Sequence, residues 1–73
     1  MKLNPDWDLG ALLKQACDEK AKVDLWLRSG QKFSGRVAGV GAHAVLLSEL
    51  SGREFFDAVI LLSEVAALEA RSR

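Results

Sequence analysis

Two periods divide the chain. Near the N-terminus apolar residues recur at helical spacing, with Leu9, Leu12, Leu13 and Ala16 forming one stripe and Lys14, Gln15, Asp18 and Glu19 falling mostly off it. Asn4, Pro5 and Asp6 supply a cap, a residue suited to the first helical turn and an acid for the helix dipole. The spacing predicts a helix over about 5–19. Gly10 weakens it by roughly 1 kcal/mol relative to Ala, so the helix is expected to depend on docking against the rest of the chain.

From Ala21 the period becomes two. Val23, Leu25 and Leu27 alternate with Asp24, Trp26 and Arg28, the signature of a strand with one buried face. Ser29-Gly30 turns it into a second strand in which Lys32, Ser34 and Arg36 alternate with Phe33, Gly35 and Val37. Gly35 in that strand's interior predicts a sharp bend or a close backbone approach. Gly39 to Gly41 form a loosened corner, and His43 to Leu50 a third strand. Ser51-Gly52-Arg53 reads as a turn into a fourth strand over Glu54 to Leu62, and after a break at Ser63-Glu64 the segment Val65 to Ala70 makes a last strand, although its Ala-rich sequence also suits a helix.

One helix followed by about five short strands predicts a mainly β, strongly bent five-stranded antiparallel barrel, a single domain over 1–73 with strands over about 21–70. The run Val59-Ile60-Leu61-Leu62 is too apolar for a solvent-facing edge. It belongs either to a central strand or to one that pairs with another chain, and the second reading is favoured because a domain this small often needs assembly to complete its burial.

Composition supports a folded protein, with 49% hydrophobic and 27% charged residues. Ten Lys and Arg balance ten Asp and Glu, so no overall field steers the chain toward nucleic acid. The distribution is uneven: over 20–36 five cations face only Asp24, a local +4, and over 49–69 five acids face only Arg53, a local −4. An anionic partner would be met locally.

Cys17 is the single cysteine and the chain holds one His, which excludes an intramolecular disulfide and a structural zinc site. Cys17 is expected to be a buried thiol. With no exported leader or membrane-spanning run in the pattern, a cytoplasmic location is expected. No nucleophile turn, paired acid-base set or phosphate loop appears: Gly39-Val-Gly-Ala-His lacks the Lys-Ser/Thr ending and precedes a strand. The expectation is a protein that is not an enzyme, without catalytic residues, cofactor or metal.

The segment Val23-Asp-Leu-Trp-Leu-Arg-Ser-Gly-Gln-Lys-Phe-Ser-Gly-Arg-Val, followed by Gly39-Val-Gly-Ala-His and Val45-Leu-Leu, resembles the first motif of the Sm-like and Hfq-like RNA-binding family. Asp57 to Leu68 is similar to its shorter second motif. The resemblance covers residues 8–70. It implies a small SH3-like barrel that assembles into a homo-oligomeric ring, hexamer or heptamer, by pairing the fourth strand of one subunit with the fifth of the next. Such rings bind single-stranded RNA.

The same resemblance implies RNA-binding residues. Trp26 matches the first-strand aromatic that stacks adenine, and Gly30 and Lys32 match the Gly and Lys that follow it. His43 falls where the family places a ring that stacks on a base, although a solvent-facing turn residue is an equal reading. The chain also departs from the family pattern: Gly41 stands where the corner carries an Asp, and Asp57 and Ala58 stand where the Hfq branch grips uridine with Lys and His. Residue chemistry supports Trp26 separately, because an indole between Asp24 and Arg28 on a polar strand face can stack a purine while Arg28 or Lys32 meets phosphate. Packing of Trp26 under the helix or against a neighbouring subunit is the competing reading. Trp7 is expected to anchor the helix, and Phe33, Phe55 and Phe56 to lie in the core or at a subunit interface. Two functions follow: an RNA-binding ring using Trp26, Arg28, Gly30, Lys32 and His43, or an assembly scaffold that has lost its base-reading residues.

Overall fold

The computed structural model describes residues 1–71. Helix α1 (Leu9–Asp18) begins later than the Asn4-Pro5-Asp6 signal suggests. Asn4 instead closes a turn of its own: the Trp7 N–H donates to its carbonyl at 3.1 Å and the Asp6 N–H to its Oδ1 at 2.9 Å. The cap is Asp8, whose carboxylate accepts from the Ala11 N–H at 2.7 Å.

The helix ends in a paired backbone lock. Ala21 N–H donates to Ala16 O and Lys20 N–H to Cys17 O, the bond pattern of a Schellman motif. This places Lys20 at φ 55°, a left-handed conformation that usually takes glycine. Leu13 and Ala16 are fully buried, so α1 docks through its apolar stripe as expected.

Five strands follow: β1 (Lys22–Leu27), β2 (Lys32–Val40), β3 (Ala44–Ser48), β4 (Ala58–Leu61) and β5 (Val65–Ala70), with a 3₁₀ turn at Leu62–Glu64 between the last two. All neighbours pair antiparallel in the order β4-β3-β2-β1-β5. The fold is therefore mainly β and compact, with a Cα radius of gyration of 11.0 Å. β5 forms as a strand despite its Ala-rich sequence, held to β1 from Val23↔Ala70 to Leu27↔Val65.

Alternation in β1 turns Val23 and Leu25 toward the core, where they meet Val37, Val45, Leu47, Leu50, Ile60 and the two helical residues. Cys17 and Phe33 are half-buried against this cluster. β2 is the longest strand, and it runs through the Gly39 corner expected from sequence to Val40 with an irregularity between Val37 and Gly39. Gly35 makes the close approach: a Cβ there would lie 2.8 Å from Ser48 O and 3.0 Å from Leu50 Cδ2.

Two strands are shorter than the apolar pattern predicts. β3 stops at Ser48 because Glu49 takes a positive φ of 50°, and the following turn is tied back to β2 by Ser51 N–H donating to Ser34 O at 2.9 Å. β4 starts at Ala58 rather than Glu54. The backbone from Leu50 to Phe56 is occupied by successive turns, Arg53 N–H to Leu50 O and Phe56 N–H to Arg53 O, both at 2.9 Å. Phe55 and Phe56 are thus placed on an exposed loop outside the core. Within β4, Ile60 is the core residue at 5% exposure, while Val59 at 71% and Leu61 at 55% point outward.

These contacts predict opposite responses at two backbone positions. Gly35→Ala should destabilise the chain by about 1–3 kcal/mol through overpacking against β3. Lys20→Gly should stabilise it by up to about 1 kcal/mol by relieving the left-handed residue. Urea unfolding followed by circular dichroism measures both, and a neutral Gly35→Ala would contradict the close approach.

Candidate functional site

The β1–β2 hairpin positions most of the residues singled out from sequence. Leu27 N–H donates to Gln31 O at 2.8 Å and Gly30 N–H to Leu27 O at 2.9 Å, closing a tight loop over Arg28, Ser29 and Gly30. Gly30 sits at φ 93°, where a side chain would be strained. Its role is to make the turn that brings Trp26 opposite Lys32.

Those two residues are cross-strand partners in the β1–β2 register. The Lys32 ammonium lies 5.2 Å from the centroid of the Trp26 ring, a cation–π arrangement. The indole remains 40% exposed. It alternates with Val23 and Leu25, so it occupies the sheet face opposite the one that buries α1, which removes the reading in which it packs under the helix. An exposed aromatic plane with an adjacent cation can take a flat, electron-rich group together with an anionic one.

Arg28 is held elsewhere. Its backbone N–H donates to Glu64 O at 2.9 Å and its Nε to Ser63 O at 2.8 Å. The guanidinium thereby clamps the β1–β2 hairpin to the 3₁₀ turn. His43 is tied to the same turn through its main chain, since Leu62 N–H donates to His43 O at 2.8 Å. Its corner is closed by Gly41 N–H donating to Ala44 O at 2.8 Å, and the imidazole is exposed. Residues 62–64 therefore receive one anchor from the His43 corner and two from Arg28. Trp26 and Lys32 form one pair; Arg28 and His43 are brought to one turn from opposite sides.

A second cluster was not singled out as a site from sequence. Lys20, Lys22, Arg36 and Arg71 line an open groove of about 730 Å³ together with Asp24 and Glu69. Arg36 donates to Lys20 O and pairs with Glu49 at 3.2 Å. The local positive charge over 20–36 was the available signal, but Arg71 joins it only through the β1–β5 pairing. A smaller hollow of about 260 Å³ lies between α1 and β5, lined by Leu3, Leu9, Leu12, Val65 and Leu68. Trp7, expected to anchor the helix, is 44% exposed. Among the described residues no helix is long and apolar enough to cross a membrane, and no group of three or more His, Cys, Asp or Glu is arranged to hold a metal ion.

No protein-family model matches the chain, and no curated protein matches it in sequence.

A double-mutant cycle on Trp26→Leu and Lys32→Ala should give a coupling of about 0.5–1 kcal/mol, the range for an exposed cation–π pair. Thermal or urea unfolding of the four proteins measures it. Additive effects would show that the ammonium contributes nothing to the indole's placement.

Proposed function

We propose that this chain is a non-catalytic subunit of a homo-oligomeric ring of the Sm-like kind, its sheet bent into a small barrel, and that it binds single-stranded RNA on the face carrying Trp26 and Lys32. The observation that carries this reading is the exposed indole with an ammonium beside it. Single-strand binders combine an aromatic plane for the base with a cation for the phosphate, and repetition around a ring adds many weak contacts. His43 offers a further flat ring on a separate corner. Arg28, whose Nε is taken by Ser63 O, serves the RNA surface by holding the hairpin in place.

Assembly is supported by the two sheet edges. Leu62 N–H faces β3 through His43 O, so by alternation the N–H groups of Ala58 and Ile60 face β3, and those of Val59 and Leu61 point away from the sheet. An edge with outward donors and two exposed apolar side chains is suited to pairing with another strand. Ile60 faces the core, so a charge there would unfold the subunit. The informative substitution is Val59→Pro, which removes an outward donor while leaving the β3 ladder bonds in place.

The scaffold reading is favoured by zero net charge and by Asp57 immediately before β4. Fluorescence anisotropy with labelled oligo(A) and oligo(U) at two salt concentrations separates the two. RNA recognition predicts saturable oligo(A) binding that weakens steeply with salt, and loss of about 1–3 kcal/mol of affinity in Trp26→Ala. An assembled protein that binds neither oligonucleotide would move the function to the scaffold. Val59→Pro should leave a folded monomer by sedimentation velocity; an unchanged oligomer would exclude β4 from the interface.

A further inference from the structure

We infer that the β3–β4 loop is a docking plug: its Glu54-Phe55-Phe56-Asp57 segment seats in the basic groove formed by Lys20, Lys22 and Arg71 of a second copy of this chain. The inference rests on the assembly reading above and specifies how the strand edges meet. Phe55 is fully exposed and Phe56 is 62% exposed, on a segment whose backbone is already held by its own turns. Arg53, the loop's only cation, is drawn back over the Phe33 ring at 5.8 Å. The loop therefore presents two phenyl rings flanked by two exposed acids, Asp57 and Glu54, the latter with one carboxylate oxygen accepting from Gly52 N–H at 3.2 Å.

The groove has the complementary character. Its four cationic side chains, Lys20, Lys22, Arg36 and Arg71, and the Met1 ammonium outnumber Asp24 and Glu69. Among the described residues Arg36 is engaged by Glu49 and the Met1 ammonium by Arg71 O and Glu19, so Lys20, Lys22 and Arg71 are the side chains placed to meet an incoming carboxylate. Val23 and Ala70 supply apolar floor beside them. The groove's positive side chains and apolar floor adjoin a strand edge, the end of β5.

Chain direction connects the two features. The plug immediately precedes Ala58, the first residue of β4, and the groove surrounds Ala70, the last residue of β5. Antiparallel pairing of β4 with the β5 edge of another copy sets the start of one strand beside the end of the other. That arrangement brings Glu54 and Asp57 to Lys22 and Arg71. Parallel pairing would instead set the same carboxylates beside Val65 and the acidic Glu64, where like charges repel. Charge thus selects the antiparallel arrangement. Because plug and groove are different surfaces of the same chain, the contact is heterologous, and each copy offers one of each to its neighbours.

A charge-swap experiment on the full chain tests the contact. Glu54, Asp57, Lys22 and Arg71 are all exposed, so reversing them should leave the fold intact by circular dichroism. The double variants Glu54→Lys/Asp57→Lys and Lys22→Glu/Arg71→Glu should each raise the dissociation constant of the assembly at least tenfold by sedimentation velocity. An equimolar mixture of the two should recover assemblies containing both chains, resolved by native mass spectrometry. Failure of the mixture to assemble would overturn the pairing of plug with groove. If both double variants assemble like the parent while Val59→Pro dissociates it, the strand-edge interface stands and the plug is overturned. A parent chain that is monomeric at every concentration overturns both.

Discussion

Among the described residues a core of nine buried apolar side chains must hold together one helix and five strands. That limit shapes the rest of the molecule. The core is drawn from one face of the sheet, two helical residues and Leu50 of the β3–β4 loop, and it leaves none to cover the two edges, β4 and β5. Small domains bury a smaller fraction of their surface than large ones, so this chain relies on turn bonding, close backbone packing and, in the proposed ring, assembly.

Turn bonding is concentrated at residues 62–64. The 3₁₀ turn accepts from Arg28 twice and donates once to the His43 corner, so the connection between β4 and β5 also fixes the two hairpins that carry the candidate RNA-binding residues. Close packing is concentrated at Gly35, where the absence of a Cβ lets β2 pass against Ser48 and Leu50. Together these place Trp26 and Lys32 on the open face and leave Val59 and Leu61 on an unpaired edge. The proposed function rests on both features: a binding face repeated by assembly, and an edge that drives the assembly.

Much of this was legible in the residue pattern. Period-two alternation identified β1 and put Trp26 on its polar face, Gly35 signalled either a bend or a close approach, and Ser63-Glu64 marked the break before β5. What was not legible has physical causes. An unbroken apolar run carries no alternation, so Val59-Ile60-Leu61 could not reveal that Ile60 alone faces the core. Phe55 and Phe56 have strong strand propensity, but successive turn bonds from Leu50 to Phe56 consume the backbone a strand would need. Asn4 carries a cap signal that its own local turn consumes, leaving Asp8 to start the helix. The groove around Lys22 and Arg71 depends on pairing residues far apart in sequence, which no local pattern encodes.

The proposed function requires that an incomplete sheet edge make this chain a repeating subunit. Sedimentation equilibrium of the unmodified chain over a wide concentration range tests it most directly. A ring-forming chain should give a discrete closed species at an integral multiple of the 8.0 kDa subunit mass, persisting on dilution. A mass of one subunit at all concentrations would contradict it, and the exposed edge and aromatic loop would then need a different partner.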